Sequence, residues 1–560
     1  MNANGRDEST RRINRLFALI VLAAIGFTVF LPGLGTKYCD DDFQFVYSEP
    51  SRAILYYFSH DNPANSFYRP LQAMFLAGVQ SLAGLNTIPI HVTNLILHIL
   101  LAWLVLLAMM RLGFSLVQSF GGALFMLISQ ANVHAVSSND TLSQVGSTLA
   151  GVLALYALIR AMNGIFKKGA VKEERTKKNR NVAAHTDLQN SSLVPKDTSP
   201  ESPLYTSSEK PSASAAETAG SARGSAYGYY ILSVVLFAIS LIFKETAVSF
   251  LLITAVMLFS ARWIHKLPRG NTALLRAAVL LLPYIAVTLS YLFVRSQVVT
   301  SRAAFGSNPY NFHIGFNIAR NLALLFTAAA SPISTVTLYT AAKTGHAAGF
   351  SIYITVAAIF VVPTICGLAR LRKNKAVLLA FAFSILALFP AFLLNHVSEL
   401  YVYNAMPFIA LLVGAGFGLF AERSDVKLEK TIAVAVAIVV GASNIGAIAS
   451  KTSLMWENGE RAQVIITQLK HTIKTHPQCS CLYLVNPQCE MVEYSIFTYN
   501  GFHIVKNSLQ YIKESTNRED LDIEIITSSE YANLDKSLLK NCVFLTTTSC
   551  RGAGVKTLNE

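Results

Sequence analysis

Ten stretches of the chain are long and apolar enough to read as membrane spans: 16–33, 90–110, 144–162, 229–243, 246–262, 275–294, 350–369, 376–394, 404–421 and 431–449. A weaker eleventh covers 114–131. Each approaches the roughly 20 apolar residues that cross a bilayer as a helix. The pattern predicts a polytopic α-helical membrane protein of about 11 spans. One more apolar stretch, 316–340, is broken by Ser331-Pro332. Counted as a span it would move Arg370, Arg372, Lys373 and Lys375 to the outer side, so it is read as an interfacial or re-entrant helix.

Two segments depart from the apolar pattern. Residues 163–226 are rich in Lys, Ser, Ala, Pro and Glu and almost free of large apolar side chains. They predict a disordered cytoplasmic insert, because so little apolar surface cannot offset ordering entropy. The tail 451–560 holds CLYLVN, IEIIT and NCVFLTT, three short strand-like runs between helix-compatible stretches. It predicts a small α/β domain. The expected division is a membrane domain over 1–450, with outer loops 34–89 and 295–349, followed by the α/β domain over 451–560.

Composition agrees with the pattern. The 560 residues are 52% hydrophobic and 14% charged, where a soluble protein has roughly a quarter of its residues charged. A soluble secreted or cytosolic enzyme is excluded. The net charge of +14 is sorted along the chain: 26 Lys and Arg fall on segments assigned to the cytoplasm, against 8 on the outer loops before residue 450. The positive-inside rule reads this as orientation, not as a nucleic-acid surface. It predicts a cytoplasmic N-terminus, with Arg11, Arg12 and Arg15 before a retained signal anchor, and a C-terminal domain outside. Five of the 7 cysteines (Cys479, Cys481, Cys489, Cys542 and Cys550) lie in that domain. In an oxidising compartment they allow up to two bridges with one thiol left over.

Candidate chemistry collects on the outer side. The first span is followed by YCDDDFQFV, which puts Asp40, Asp41 and Asp42 side by side. Like charges this close raise at least one pKa, as suits a general base or a cation site, while a hydrated loop or a helix cap is the structural alternative. The cluster is therefore also a candidate site for a divalent cation. FYRPLQAMFLAGVQSLAGLN, with Arg69 near its start, predicts a helix lying in the interface. His91, Asn94 and His98 share one face of the next span and suit interhelical hydrogen bonding better than metal. His134, Asn139 and Asp140 lie in the next outer loop, and Lys244-Glu245-Thr246 in a turn between two spans. Lys244 could be one half of an interfacial ion pair or a point charge for a phosphate. Arg295, Arg302 and Arg320 are weaker phosphate candidates.

The ordered series YCDDDFQFV, FYRPL, HVTNLILH, FKET and ELYVY resembles the multispanning C-type (GT-C) glycosyltransferases. The nearest resemblance is to the transmembrane O-mannosyltransferases with TPR repeats and their bacterial relatives. It covers roughly residues 10–450, and no TPR period is found in 451–560. The resemblance implies sugar transfer from a polyprenyl-phosphate donor to a protein, lipid or envelope-glycan acceptor outside the cytoplasm. It puts the catalytic carboxylate at Asp41, flanked by Asp42 and Asp40, and the donor phosphate at Lys244, Arg69 and Arg295. His134, Asp140, Glu245, His98, Glu399 and Tyr401 are further site candidates. This chain differs from the relatives at His134, near Asn139, and at Leu400. A bacterial cytoplasmic membrane is the expected location. The competing expectations are a transporter or lipid flippase, with the same polar residues lining a path, and a scaffold for an envelope complex.

Overall fold

The computed structural model describes residues 3–46, 54–60, 67–190, 213–264, 271–299, 312–345, 347–395, 397–423, 427–489, 492–534 and 541–558. Every segment read as a span is mainly helical, although 246–262 and 376–394 are each divided between more than one helix. Among the described residues, six helices are long and apolar enough to cross a membrane: Asn14–Gly33, Ile88–Arg111, Leu142–Phe166, Ser225–Phe243, Ala273–Val298 and Lys430–Thr475. The chain is an integral membrane protein. The weak span near 114–131 is a bent pair, Leu116–Ile128 and Gln130–Ser137, with a 45° break. Backbone groups freed by such a break need internal partners in an apolar surrounding. Here Asn132 Nδ2 donates to the Met126 carbonyl at 2.6 Å, and Gln130 N–H to Asn444 Oδ1 at 2.9 Å. Glu245–Phe259, Thr355–Arg370, Lys375–Ala387 and Met406–Glu422 are shorter apolar helices. The 316–340 stretch is likewise broken, into Phe316–Ala330 and Thr335–Thr344.

Within 163–226, the flanks are helical: one helix runs Leu142–Asn190 and another Ala213–Phe243, while 191–212 lies outside the described residues. Lys, Glu, Arg and Ala are strong helix formers, and a helix already nucleated in a span propagates into such a sequence without a new nucleus. A domain boundary at 451 also falls inside a continuous helix, Lys427–Thr475. Its 49 residues extend roughly 73 Å, more than twice the ~30 Å hydrocarbon core. The last turns therefore belong to the α/β domain.

The chain divides into two compact units. The smaller is Gly151–Ala238 with Leu251–Thr288. Inside it, the Ser233 hydroxyl donates to the Ala154 carbonyl at 2.6 Å and meets the Tyr284 hydroxyl at 2.7 Å. The larger comprises Met1–Ala150, Ile239–Phe250 and Leu289–Glu560, and it holds all the candidate site residues.

In the α/β domain, β1 (Cys481–Asn486), β2 (Asp522–Thr527), β3 (Cys542–Thr547) and β4 (Val555–Thr557) form a sheet in the order β2-β1-β3-β4. β1 is parallel to β2 and β3, and β4 is antiparallel to β3. The first three are the strand-like runs of the sequence. Period-2 alternation sends Leu482 and Leu484 to one face and Cys481 and Tyr483 to the other. Ala462, Ile465, Ile466, Leu469 and Ile473, a helical stripe on Lys427–Thr475, cover the first face. Disulfides join Cys481 to Cys542 and Cys489 to Cys550, and Cys479 is a buried free thiol.

Candidate active site

The acidic motif is a 3-10 turn, Asp40–Phe45, whose apolar neighbours Tyr38, Cys39, Phe43 and Phe45 are buried in the same core as the sheet's first face. The long helix fixes its approach: Lys37 pairs with Glu460 at 2.8 Å, and a Cβ on Gly459 would stand 2.8 Å from the Lys37 backbone N and O. Only glycine allows the two chains to pass this closely.

The three carboxylates have separate environments. Asp42 is buried at 4% exposure and caps its own turn, Oδ2 accepting from Cys39 N–H and from Asn139 Nδ2, each at 3.0 Å. Burial, then the charge of Asp140, raises its carboxyl pKa. Asp40 holds a left-handed φ of +37°, a conformation that Asp tolerates better than most residues. Its Oδ1 accepts from the backbone and side-chain amides of Asn507 at 3.3 and 3.0 Å. Burial pushes it up to about 6, against donors from Asn507 and Tyr499. Asp41 keeps solvent access. Its Oδ1 accepts from Gln44 Nε2 and Asn507 Nδ2, both at 2.8 Å, and no described residue donates to Oδ2. Desolvation, then the charges of Asp40 and Asp140, push it up to about 7. Structural work falls to Asp42, and the open carboxylate oxygen belongs to Asp41.

The candidate cation site was tested against this geometry. The three carboxylates turn to different donors, and among the described residues no group of three or more His, Cys, Asp or Glu side chains converges as metal ligands would.

The Ser138–Asp140 segment joins the acids to the bases. Ser138 Oγ lies 2.6 Å from Asp140 Oδ1 and 3.4 Å from Asp42 Oδ1. Asn94 donates to the Ser138 carbonyl, and Gln72 to that of Asp140. The charge of Asp140 acts on Asp41 and Asp42, and also on Arg69 and Lys244. Arg69 is engaged: Nε and NH2 grip Glu245 at 3.0 and 2.7 Å while the guanidinium lies over the Phe67 ring. Burial works against the Arg69 charge and Glu245 more than offsets it. Lys244 is 4% exposed, and its ammonium makes no hydrogen bond or ion pair with a described residue. Burial, then the charge of Arg69, lowers it to about 7. The Arg295 guanidinium also has no such partner. It lies one helical turn beyond Tyr291, whose hydroxyl donates to the Tyr68 carbonyl at 3.1 Å. Arg320 bonds Asn321, and Arg302 lies outside the described residues.

Other candidates lie apart from this array. His98 binds the Tyr403 hydroxyl at 2.8 Å and the Leu127 carbonyl at 3.1 Å, the interhelical role expected of it. His134 faces Ser495 and Phe497. Tyr401 lies in the 3-10 turn Glu399–Asn404, and it is Tyr403 that meets His98. Glu399 is a fully buried structural partner: Lys451 Nζ reaches both its oxygens at 2.9 and 2.8 Å, and Thr335 Oγ1 donates at 2.5 Å. Lys451 also contacts Gln130 and lies 5.0 Å from the Phe497 ring centroid. The sequence did not mark Asn507, Gln44, Ser138, Tyr499 or Lys451. Only tertiary contact gives them a role. A cavity of about 250 Å³ lies beside Tyr499, its wall including Trp456, Glu457, Asn458, Arg461 and Arg551.

The fold and site together define a polytopic helical membrane protein in which a carboxylate turn, held against an α/β domain, is linked through Asp140 to buried cations. No family model matches the chain, and no curated protein is similar to it. Among solved structures, the chain is similar to ArnT from Cupriavidus metallidurans bound to undecaprenyl phosphate: TM-score 0.44, 10% identity, covering 94% of this chain and 92% of that one. The apo state of ArnT gives 0.47 and 11% with the same coverage. The archaeal oligosaccharyltransferase AglB from Archaeoglobus fulgidus, in complex with an inhibitory peptide and a dolichol-phosphate, gives 0.43 and 10%, covering 81% of this chain and 59% of that one.

Proposed function

We propose that the chain is a membrane glycosyltransferase that moves a sugar from a polyprenyl-phosphate-linked donor to an acceptor outside the cytoplasm. The observation that carries this reading is a carboxylate, Asp41, with one oxygen open, and a buried ammonium, Lys244, without a partner, both among the described residues and both within the field of Asp140. Asp41 Oδ2 takes the acceptor hydroxyl proton as that oxygen bonds to the anomeric carbon. The bond from that carbon to the donor phosphate breaks, and the phosphate leaves with the electron pair. Lys244 neutralises the charge gathering on the leaving phosphate, with Arg295 as a second cation and Arg69 holding Glu245 away from Lys244. A carboxyl near 7 suits a base working near neutral pH. One displacement with one base inverts the anomeric centre.

In this reading the chain crosses a bacterial cytoplasmic membrane about eleven times from a cytoplasmic N-terminus, with the α/β domain outside. The two disulfides support that side, since such bonds persist in oxidising compartments. The test is mass spectrometry of envelope glycans, glycolipids and glycoproteins from cells with and without the gene. Loss of one sugar from one class supports the reading and names the acceptor, and identical profiles in all three overturn it.

A further inference from the structure

The turn that carries the open carboxylate does not stand alone. Asn507 lies in a second 3-10 turn, Gly501–Ser508, that belongs to the α/β domain and packs directly on Asp40–Phe45. Val505 and Ser508, on either side of it, are fully buried, and Phe43 lies against Tyr511 with ring centroids 5.4 Å apart. Asn507 therefore cannot swing away from the acids unless this core opens. Its one side-chain amide nitrogen bridges Asp40 Oδ1 at 3.0 Å and Asp41 Oδ1 at 2.8 Å. Gln44 donates to the same Asp41 oxygen at 2.8 Å from the membrane-domain side. Two amide donors on one oxygen fix the carboxylate plane and leave the second oxygen open.

We propose that the α/β domain supplies a working part of the reactive centre, with Asn507 as a positioning residue: together with Gln44 it holds Asp41 Oδ1 so that Oδ2 faces the acceptor hydroxyl. This rests on the reading of Asp41 as the base. The chemistry is that of a shared donor. A hydrogen bond to the charged form of a carboxylate keeps it ionised at lower pH, and a fixed plane keeps the reacting oxygen aimed. The α/β domain is then more than an appendage for partners, and removing it would leave Asp41 unaimed.

The test separates this claim from the glycosyltransferase reading. The full-length protein in lipid nanodiscs is treated with a water-soluble carbodiimide and an amine over a pH series, and labelling at Asp41 is followed by peptide mass spectrometry. This readout requires no sugar transfer. Asn507→Leu should raise the midpoint of the Asp41 labelling curve by about one pH unit, the size expected for losing a hydrogen bond to a charged group. Gln44→Leu should do the same without touching the α/β domain. Asn507→Asp, which keeps the side-chain volume if the leucine variant misfolds, should raise it further by adding a like charge. In a transfer assay the acidic limb of the kcat profile should move up by the same interval, with the donor KM changed less than twofold. An unchanged midpoint in a folded Asn507 variant overturns the proposal, even if the wild type transfers sugar. A shifted midpoint in a protein that transfers no sugar supports the positioning and overturns the enzyme reading.

Discussion

Glu399 belongs to a motif that resembles a glycosyltransferase site, yet its surroundings assign it to the fold, and the two roles make opposite predictions. Lys451 and Glu399 are both wholly buried, with Thr335 and Gln130 completing the cluster. Lys451→Met leaves the Glu399 carboxylate buried with only the Thr335 hydroxyl as donor, which should cost about 3–5 kcal/mol. At about 1.4 kcal/mol per factor of ten, the folded-to-unfolded ratio falls by roughly two to three and a half decades. Glu399→Leu strands the ammonium and should cost a similar amount. The double variant removes both charges and fills their space, a change that is often neutral or stabilising. The hydroxyl of Thr335 and the amide oxygen of Gln130 then lose a partner, at about 1–3 kcal/mol for a buried group. The double variant should therefore recover about half of the loss and be more stable than either single variant by about 2 kcal/mol. Thermal unfolding of the purified proteins in detergent, with sugar transfer on the same samples, is the assay. A double variant no more stable than the singles would refute the clamp. One that is stable but inactive would return Glu399 to the chemistry.

The raised carboxyl of Asp41 and the lowered ammonium of Lys244 predict a narrow bell-shaped pH profile. Activity rises as Asp41 loses its proton through about pH 7 and falls as Lys244 loses its own above about 7. Lys244→Arg should flatten the alkaline limb, because a guanidinium stays protonated, and an unchanged limb would remove Lys244 from the phosphate. Arg69→Leu frees Glu245 to pair with Lys244 and should raise the donor KM about tenfold, roughly one charged hydrogen bond. Adding Glu245→Leu should restore much of it, and no recovery would refute the idea that Arg69 keeps Glu245 from Lys244. Asn500→Cys should react with a membrane-impermeant maleimide in intact cells, above the background of the native cysteines. Reaction only after permeabilisation would contradict an outer α/β domain.

What the sequence made legible follows from local physics. Apolar length marked the helices, since a span is recognisable from about 20 residues alone, and period-2 runs marked β1, β2 and β3. The bridging pattern of two disulfides with Cys479 left over was within the range the cysteine count allowed. The acid turn was legible because three adjacent carboxylates are costly enough to require a reason. The division of labour inside it was not, because that rests on Asn507, which lies 467 residues from Asp40 in the chain. Lys451 was invisible for a similar reason: it lies inside a helix that crosses the expected boundary, and its partners come from three distant turns. The helical flanks of 163–226 were not legible in composition, which reports the lack of a core, whereas helix propagation from a span needs none.

The central claim is that Asp41 is the base, and the direct measurement is turnover of a polyprenyl-phosphate-linked sugar donor by Asp41→Asn in purified, folded protein. The substitution keeps the shape and the Oδ1 contacts while removing proton acceptance. Transfer should fall by at least about 10²-fold, the lower range for a positioned base, with thermal stability and donor binding retained. Transfer at the wild-type rate would contradict the account.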